Sequence, residues 1–112
     1  MWQLPGGSVN PKESLKKAAL RELAEESGYS AKSCLGIGSY YVQNRLSDKK
    51  QYVFLCTVLF AHKLPKDHDE YIQTYWMSRA DIADKFSKKE FDNINLMAAL
   101  NIWQHYTAKL GN

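Results

Sequence analysis

The sequence predicts a single α/β domain. Three observations carry that expectation. Residues 10–28 read as a capped amphipathic helix. Two β-rich runs, 33–43 and 51–62, flank a polar turn. From Ser78 onward, two capping signals precede apolar residues at helical spacing. A length of 112 residues fits one domain, and the chain has no internal repeat or low-complexity tract.

Each element has its own justification. Trp2, Gln3 and Leu4 alternate apolar and polar, as at the end of a strand, and then meet Pro5-Gly6-Gly7. Paired glycines let a backbone approach a ligand closely. Asn10 is a favoured N-cap, Pro11 suits the first helical position, and Glu13 completes a capping box. Leu15, Ala18, Ala19 and Leu23 form an apolar stripe. Gly28 suits the helix end, and Arg21 stands four residues from Glu25.

Beyond the helix, Cys34, Leu35, Ile37, Tyr40, Tyr41 and Val42 make the first β-run, softened by Gly36 and Gly38. Asn44 to Lys50 is polar and turn-like. Gln51 to His62 is the strongest strand, and its continuous apolar character predicts burial on both faces. The two runs form an antiparallel hairpin. Lys63 to Glu70 is a charged loop, and Tyr71 to Met77 a further strand. Ser78 with Asp81 caps a short helix to about Phe86, and Ser87 with Glu90 repeats the signal. Phe91, Ile94, Met97, Leu100, Trp103 and Tyr106 then define the core face of the last helix.

Composition excludes several classes. Hydrophobic residues make up 45% and charged residues 24%, as in ordinary globular proteins. The net charge is +3 with scattered lysines, so no specific nucleic-acid partner is expected. No apolar run is long enough for a membrane span, and the N-terminus lacks a signal-peptide pattern. Cytoplasm is the expected location. Cys34 and Cys56 read as small buried residues in a reducing compartment rather than a disulfide.

The chemistry concentrates in the first helix. Glu22, Glu25 and Glu26 lie at i, i+3 and i+4 and share one helix face. Three crowded carboxylates repel unless a cation pairs with them, and their oxygens suit Mg²⁺, Mn²⁺ or Ca²⁺. An ordinary solvated acidic face is the bland alternative for the three glutamates alone.

The wider segment resembles the Nudix box, Gly-x5-Glu-x7-Arg-Glu-U-x-Glu-Glu-x-Gly-U, where U is bulky and apolar. Gly7, Glu13, Arg21, Glu22, Leu23, Glu25, Glu26 and Gly28 fill its positions, with Tyr29 in the last U place. The resemblance implies a Nudix-type α/β/α sandwich with a mixed β-sheet between helices, here lacking some N-terminal strands. It implies hydrolysis of a nucleoside diphosphate linked to another group. Mg²⁺, with Mn²⁺ as the alternative, is then held by Glu22, Glu25, Glu26 and the Gly6 carbonyl. Arg21 orients a glutamate, and Glu13 caps the turn or pairs with Arg21. Glu70, on the acidic loop beside Asp69, is the candidate general base or further metal ligand. Gly7 and Arg45 are the candidate substrate contacts.

Two downstream segments are similar to the ADP-ribose pyrophosphatase branch: Gly38 to Lys50 and Asp69 to Ser78. Asn44-Arg45 replaces that branch's Pro-Gly, and Lys49 replaces its Glu, while Ser47 and Asp48 match. ADP-ribose or a nucleotide sugar is therefore the expected substrate. The alternative reading is a Nudix-fold nucleotide-binding or regulatory module without turnover. Because the expected first strands are short, a sheet edge is left open and a homo-oligomer is expected.

Overall fold

The computed structural model describes residues 2–43, 48–62 and 74–110. Its elements are α1 (Leu15–Ser27), β1 (Tyr29–Gln43), β2 (Asp48–Ala61), α2 (Arg79–Ser87) and α3 (Ile94–Lys109). The α/β class and the antiparallel hairpin are as the sequence predicts. Both strands exceed their expected length, because pairing runs from Tyr29↔Ala61 to Gln43↔Asp48. Among the described residues the sheet is this pair alone. Helix α1 packs on β1 and more lightly on β2, and α3 also touches both strands.

The first helix begins later than expected. Pro11 and Lys12 form a turn, and Lys12 has a left-handed φ of 64°, which no α-helix continues through. Ser14 is the true N-cap, accepting from the Lys17 N–H at 3.1 Å. Asn10 and Glu13 make only the Glu13 side-chain half of a capping box, in the preceding turn, where the Asn10 backbone carbonyl rather than its side chain accepts from Glu13. The Asn10 N–H donates to Glu13 Oε1 at 3.0 Å, and the Glu13 N–H to the Asn10 carbonyl at 3.1 Å. Gly28 ends the helix with φ 79°, its N–H bonded to the Ala24 carbonyl.

Two expected strands are irregular where described. Residues Trp2 to Leu4 have no ladder partner among the described residues; Trp2 is instead held edge-on by Tyr75, centroids 5.3 Å apart, and by Lys85 Nζ at 5.2 Å from its ring. Thr74 to Met77 is likewise not extended into a ladder, and Tyr71 to Gln73 lie outside the described residues. The Ser78–Asp81 capping box of α2 forms as predicted.

The last helix is capped by Asn93, which accepts from the Leu96 N–H at 3.0 Å. Ser87 and Glu90 do not cap it, because Glu90 pairs with Lys85 at 3.0 Å and Lys89 turns left-handed at φ 57°. Of the expected core face Leu100 is buried, together with Leu96 and Ala99, whereas Ile94 is 74% exposed and Met97 is exposed too. Phe91, Leu96 and Leu100 form the buried cluster, with Trp2, Met77, Ile82, Phe86 and Trp103 packed around it. Phe91 contributes from outside the helix, edge-on to Phe86 with centroids 5.2 Å apart.

The double-sided burial expected for β2 does not occur among the described residues. None of its described side chains is buried, and Tyr52, Val58, Leu59 and Phe60 are exposed. Among the described residues only α1 and α3 pack on the hairpin, and together they leave the β2 side chains half-buried or exposed. At Gly38 the α3 side chains come close: a β-carbon there would stand 2.7 Å from Ile102 Cγ2. Tyr40 Oη, bonded to Asn95 Oδ1 at 3.1 Å, ties the same region of β1 to α3.

Candidate functional site

The site is built from the loop before α1 and one face of α1. Arg21 is its centre. Its Nε donates to Glu13 Oε2 at 2.9 Å and its Nη2 to Glu13 Oε1 at 3.1 Å, the fork-to-fork geometry that guanidinium and carboxylate share. Nη1 reaches Glu22 Oε1 at 2.8 Å and Glu25 Oε2 at 3.3 Å. Nη2 also donates to the Ser8 carbonyl at 2.8 Å, which fastens the loop to the helix. One cation thus binds three carboxylates and the loop backbone.

The electrostatics follow from that placement. Hydrogen bonding from Arg21, then from the Asn10 N–H, holds the Glu13 carboxyl below its usual range. Bonding to Glu13 and then Glu22 raises Arg21 further above its ordinary value. Glu13 and Glu22 are shielded, with side chains 15% exposed, whereas the Glu25 side chain is 41% exposed.

The glycine loop meets two of the glutamates. The Gly6 N–H donates to Glu26 Oε2 at 2.6 Å. A β-carbon on Gly7 would overlap the Glu22 carboxylate, so a side chain there would push that carboxylate out of its place. Thr74 Oγ1 donates to the Glu26 carbonyl at 3.3 Å, joining the far end of the helix to the segment before α2.

The structure therefore brings Gly6, Gly7, Arg21, Glu22, Glu25 and Glu26 together. Among the described residues no three acidic, thiol or imidazole groups stand close enough to form a closed metal cage. The cause is visible: Arg21 draws Glu22 and Glu25 to one side, while the Gly6 N–H holds Glu26. The donor chemistry still fits a hard divalent cation. The three carboxylates share a face, and two abut a loop stripped of side chains. Glu70 and Arg45 lie outside the described residues.

Sequence reasoning did not find the groove beside this site. An open groove of about 750 Å³ is lined by Trp2, Leu4, Glu26, Tyr75, Trp76 and Phe91 among others. Tyr29 stacks edge-on against Trp76, centroids 5.3 Å apart, where α1 ends. Only the aromatic run Tyr75-Trp76 hinted at it, and that run reads equally well as a strand.

Residues 1–100 match the family described as NUDIX domain. An ADP-ribose pyrophosphatase of Bacillus subtilis (strain 168) is 30% identical over 90 residues, covering 79% of this chain and 49% of the relative. A putative 8-oxo-dGTP diphosphatase of the same organism is 41% identical over 58 residues, covering 52% of this chain and 38% of the relative. A solved structure described as an ADP compounds hydrolase superposes with a TM-score of 0.80. It covers 92% of this chain and 56% of that one at 22% identity, so the likeness is one of fold. The chain spans about half the length of these relatives or less.

Proposed function

The chain belongs to the NUDIX family, and from that premise we propose that it hydrolyses the pyrophosphate bond of a nucleoside diphosphate linked to another group. The observation that carries this reading is Arg21, which holds the box carboxylates in one arrangement against the glycine loop. Water attacks a phosphorus, a bridging P–O bond breaks, and a nucleoside monophosphate leaves with the phosphorylated remainder. The name of the 30%-identical relative and the segments 38–50 and 69–78 favour ADP-ribose or a nucleotide sugar.

Glu22, Glu25 and Glu26, with the Gly6 carbonyl, would hold Mg²⁺, or Mn²⁺ in its place. Such an ion neutralises phosphate charge and lowers the pKa of a bound water when present. Arg21 acts as a positioning residue, anchored by Glu13 and orienting Glu22 and Glu25. Gly7 lets the loop backbone approach the substrate phosphates, and Arg45 adds a cation toward them. Glu70 is proposed as the base that takes the proton of the attacking water.

The test is a panel of ADP-ribose and nucleotide sugars with Mg²⁺ or Mn²⁺, read as nucleoside monophosphate release. Glu26→Gln should reduce turnover on the order of 1,000-fold, since such an ion contributes several kcal/mol to the transition state. Circular dichroism of the variant should stay unchanged. Full turnover in the variant sinks the metal assignment. Tight nucleotide binding without release in the wild type favours a regulatory module, a reading to which the open aromatic groove also lends itself.

Self-association and a cytoplasmic location belong to the same proposal. Exposed Leu35, Tyr41, Tyr52 and Val58 on the hairpin support association. Monomeric mass in light scattering at high concentration would remove it. No helix of the described residues is long and apolar enough to cross a membrane.

A further inference from the structure

Cys34 and Cys56 stand directly opposite each other in the β1–β2 ladder. Their Sγ atoms are 3.6 Å apart, and both residues are half-buried rather than buried as the sequence predicts. Facing residues of antiparallel strands have Cα atoms about 4.5 to 5.5 Å apart. That lies inside the range of about 4.4 to 6.8 Å that a disulfide spans. Closing the bond, about 2 Å long, therefore needs side-chain rotation and no strand movement.

The pair also sits in a short regular stretch between two breaks. On one side Val58, β-branched yet left-handed at φ 56°, interrupts the pairing between Ala31↔Leu59 and Ser33↔Thr57. On the other, the register shifts between Gly36 and Gly38. A cross-link at 34–56 would clamp the register where the ladder is most broken.

We propose that Cys34 and Cys56 are a redox modification site, closing to an intramolecular disulfide across the hairpin under oxidising conditions and remaining a dithiol in a reducing compartment. The co-reactant is a small-molecule disulfide such as oxidised glutathione. The Cys34 thiolate attacks it, forming a mixed disulfide and releasing one small thiolate, which takes a proton. Cys56 then loses its proton and attacks the Cys34 sulfur, releasing the second small thiolate. In sum, two protein thiols and one small disulfide give one protein disulfide and two small thiols. The protein loses two electrons and two protons.

The order of attack follows from the geometry. The Cys56 S–H donates to Cys34 Sγ, and burial together with that bond pushes Cys56 up to about 12. Cys56 thus serves as the resolving thiol, and closure accelerates as pH rises.

The experiment treats the full chain with oxidised glutathione and compares it with the dithiothreitol-reduced chain. Non-reducing mass spectrometry should show a monomer lighter by two hydrogens, with one peptide joining Cys34 to Cys56. Both thiols should lose alkylation together. The oxidised form should melt roughly 10 °C higher, the shift expected from closing a loop of this length in a domain of this size. Cys56→Ser should stop at the mixed disulfide and lose the shift. The wild-type readouts do not depend on that variant folding. A persistent mixed disulfide in the wild type, an intermolecular dimer, or a disulfide with no rise in melting temperature overturns the proposal.

Discussion

The Gly6–Gly28 unit and the aromatic groove beside it are adjacent but are held by different forces. In the first, one guanidinium meets three carboxylates and a carbonyl, all within the span from Ser8 to Glu25. In the second, Tyr75 and Trp76 remain 59% and 69% exposed, and the buried cluster behind them is three residues. Directional charge-assisted bonds define positions over short stretches of chain. Apolar contacts define positions only to the extent that surrounding layers enclose them. The site's geometry therefore rests on polar contacts, and the rest of the fold on partly enclosed apolar ones.

The comparison can be broken most sharply at Gly7. Gly7→Ala should cut turnover roughly 100-fold, the scale of displacing a reacting group by about an ångström. Its melting temperature should barely move, because the displaced atoms are the flexible end of Glu22. A stable variant with full turnover would mean that the Glu22 position is irrelevant to chemistry. Leu100→Ala tests the apolar side and should cost about 2 kcal/mol in urea unfolding. That is the low end for such truncations, because the cluster opens onto the groove. A loss above about 4 kcal/mol would indicate a fully enclosed core.

Ser14→Ala should cost about 1 kcal/mol of stability as an N-cap, while Asn10→Ala should cost less. The reverse order would return the helix start to Asn10. The smallest effect concerns pH. Glu13 is held below its ordinary value of 4.5, so its contribution is present above that pH and fades as pH falls through the lowered value. Glu13→Gln should flatten the melting-temperature curve below about pH 4.5 and leave its shape near neutrality unchanged.

Much of the site is legible in sequence because it is local. Arg21, Glu22, Glu25 and Glu26 need only helical periodicity to converge, and Gly28 needs only to end the helix. Glu13 as a partner of Arg21 follows from the same segment. The later helix start is less legible, since Asn10-Pro11 is a sound cap and only the left-handed Lys12 disqualifies it. In α3, Asn93 competed with Ser87 for the cap. Local rules do not rank such alternatives, because Glu90 was drawn away by Lys85.

By itself the sequence determined the acidic helix, the hairpin, the Ser78 cap and the family, each written in residues a few positions apart. Tertiary structure alone decided which face of α3 is buried and that β2 lies open. It also decided that Cys34 faces Cys56, and that Glu26 turns to the Gly6 N–H. The reason is physical. Periodicity and capping act within one or two turns of chain, whereas burial and pairing depend on which distant segments arrive opposite a residue.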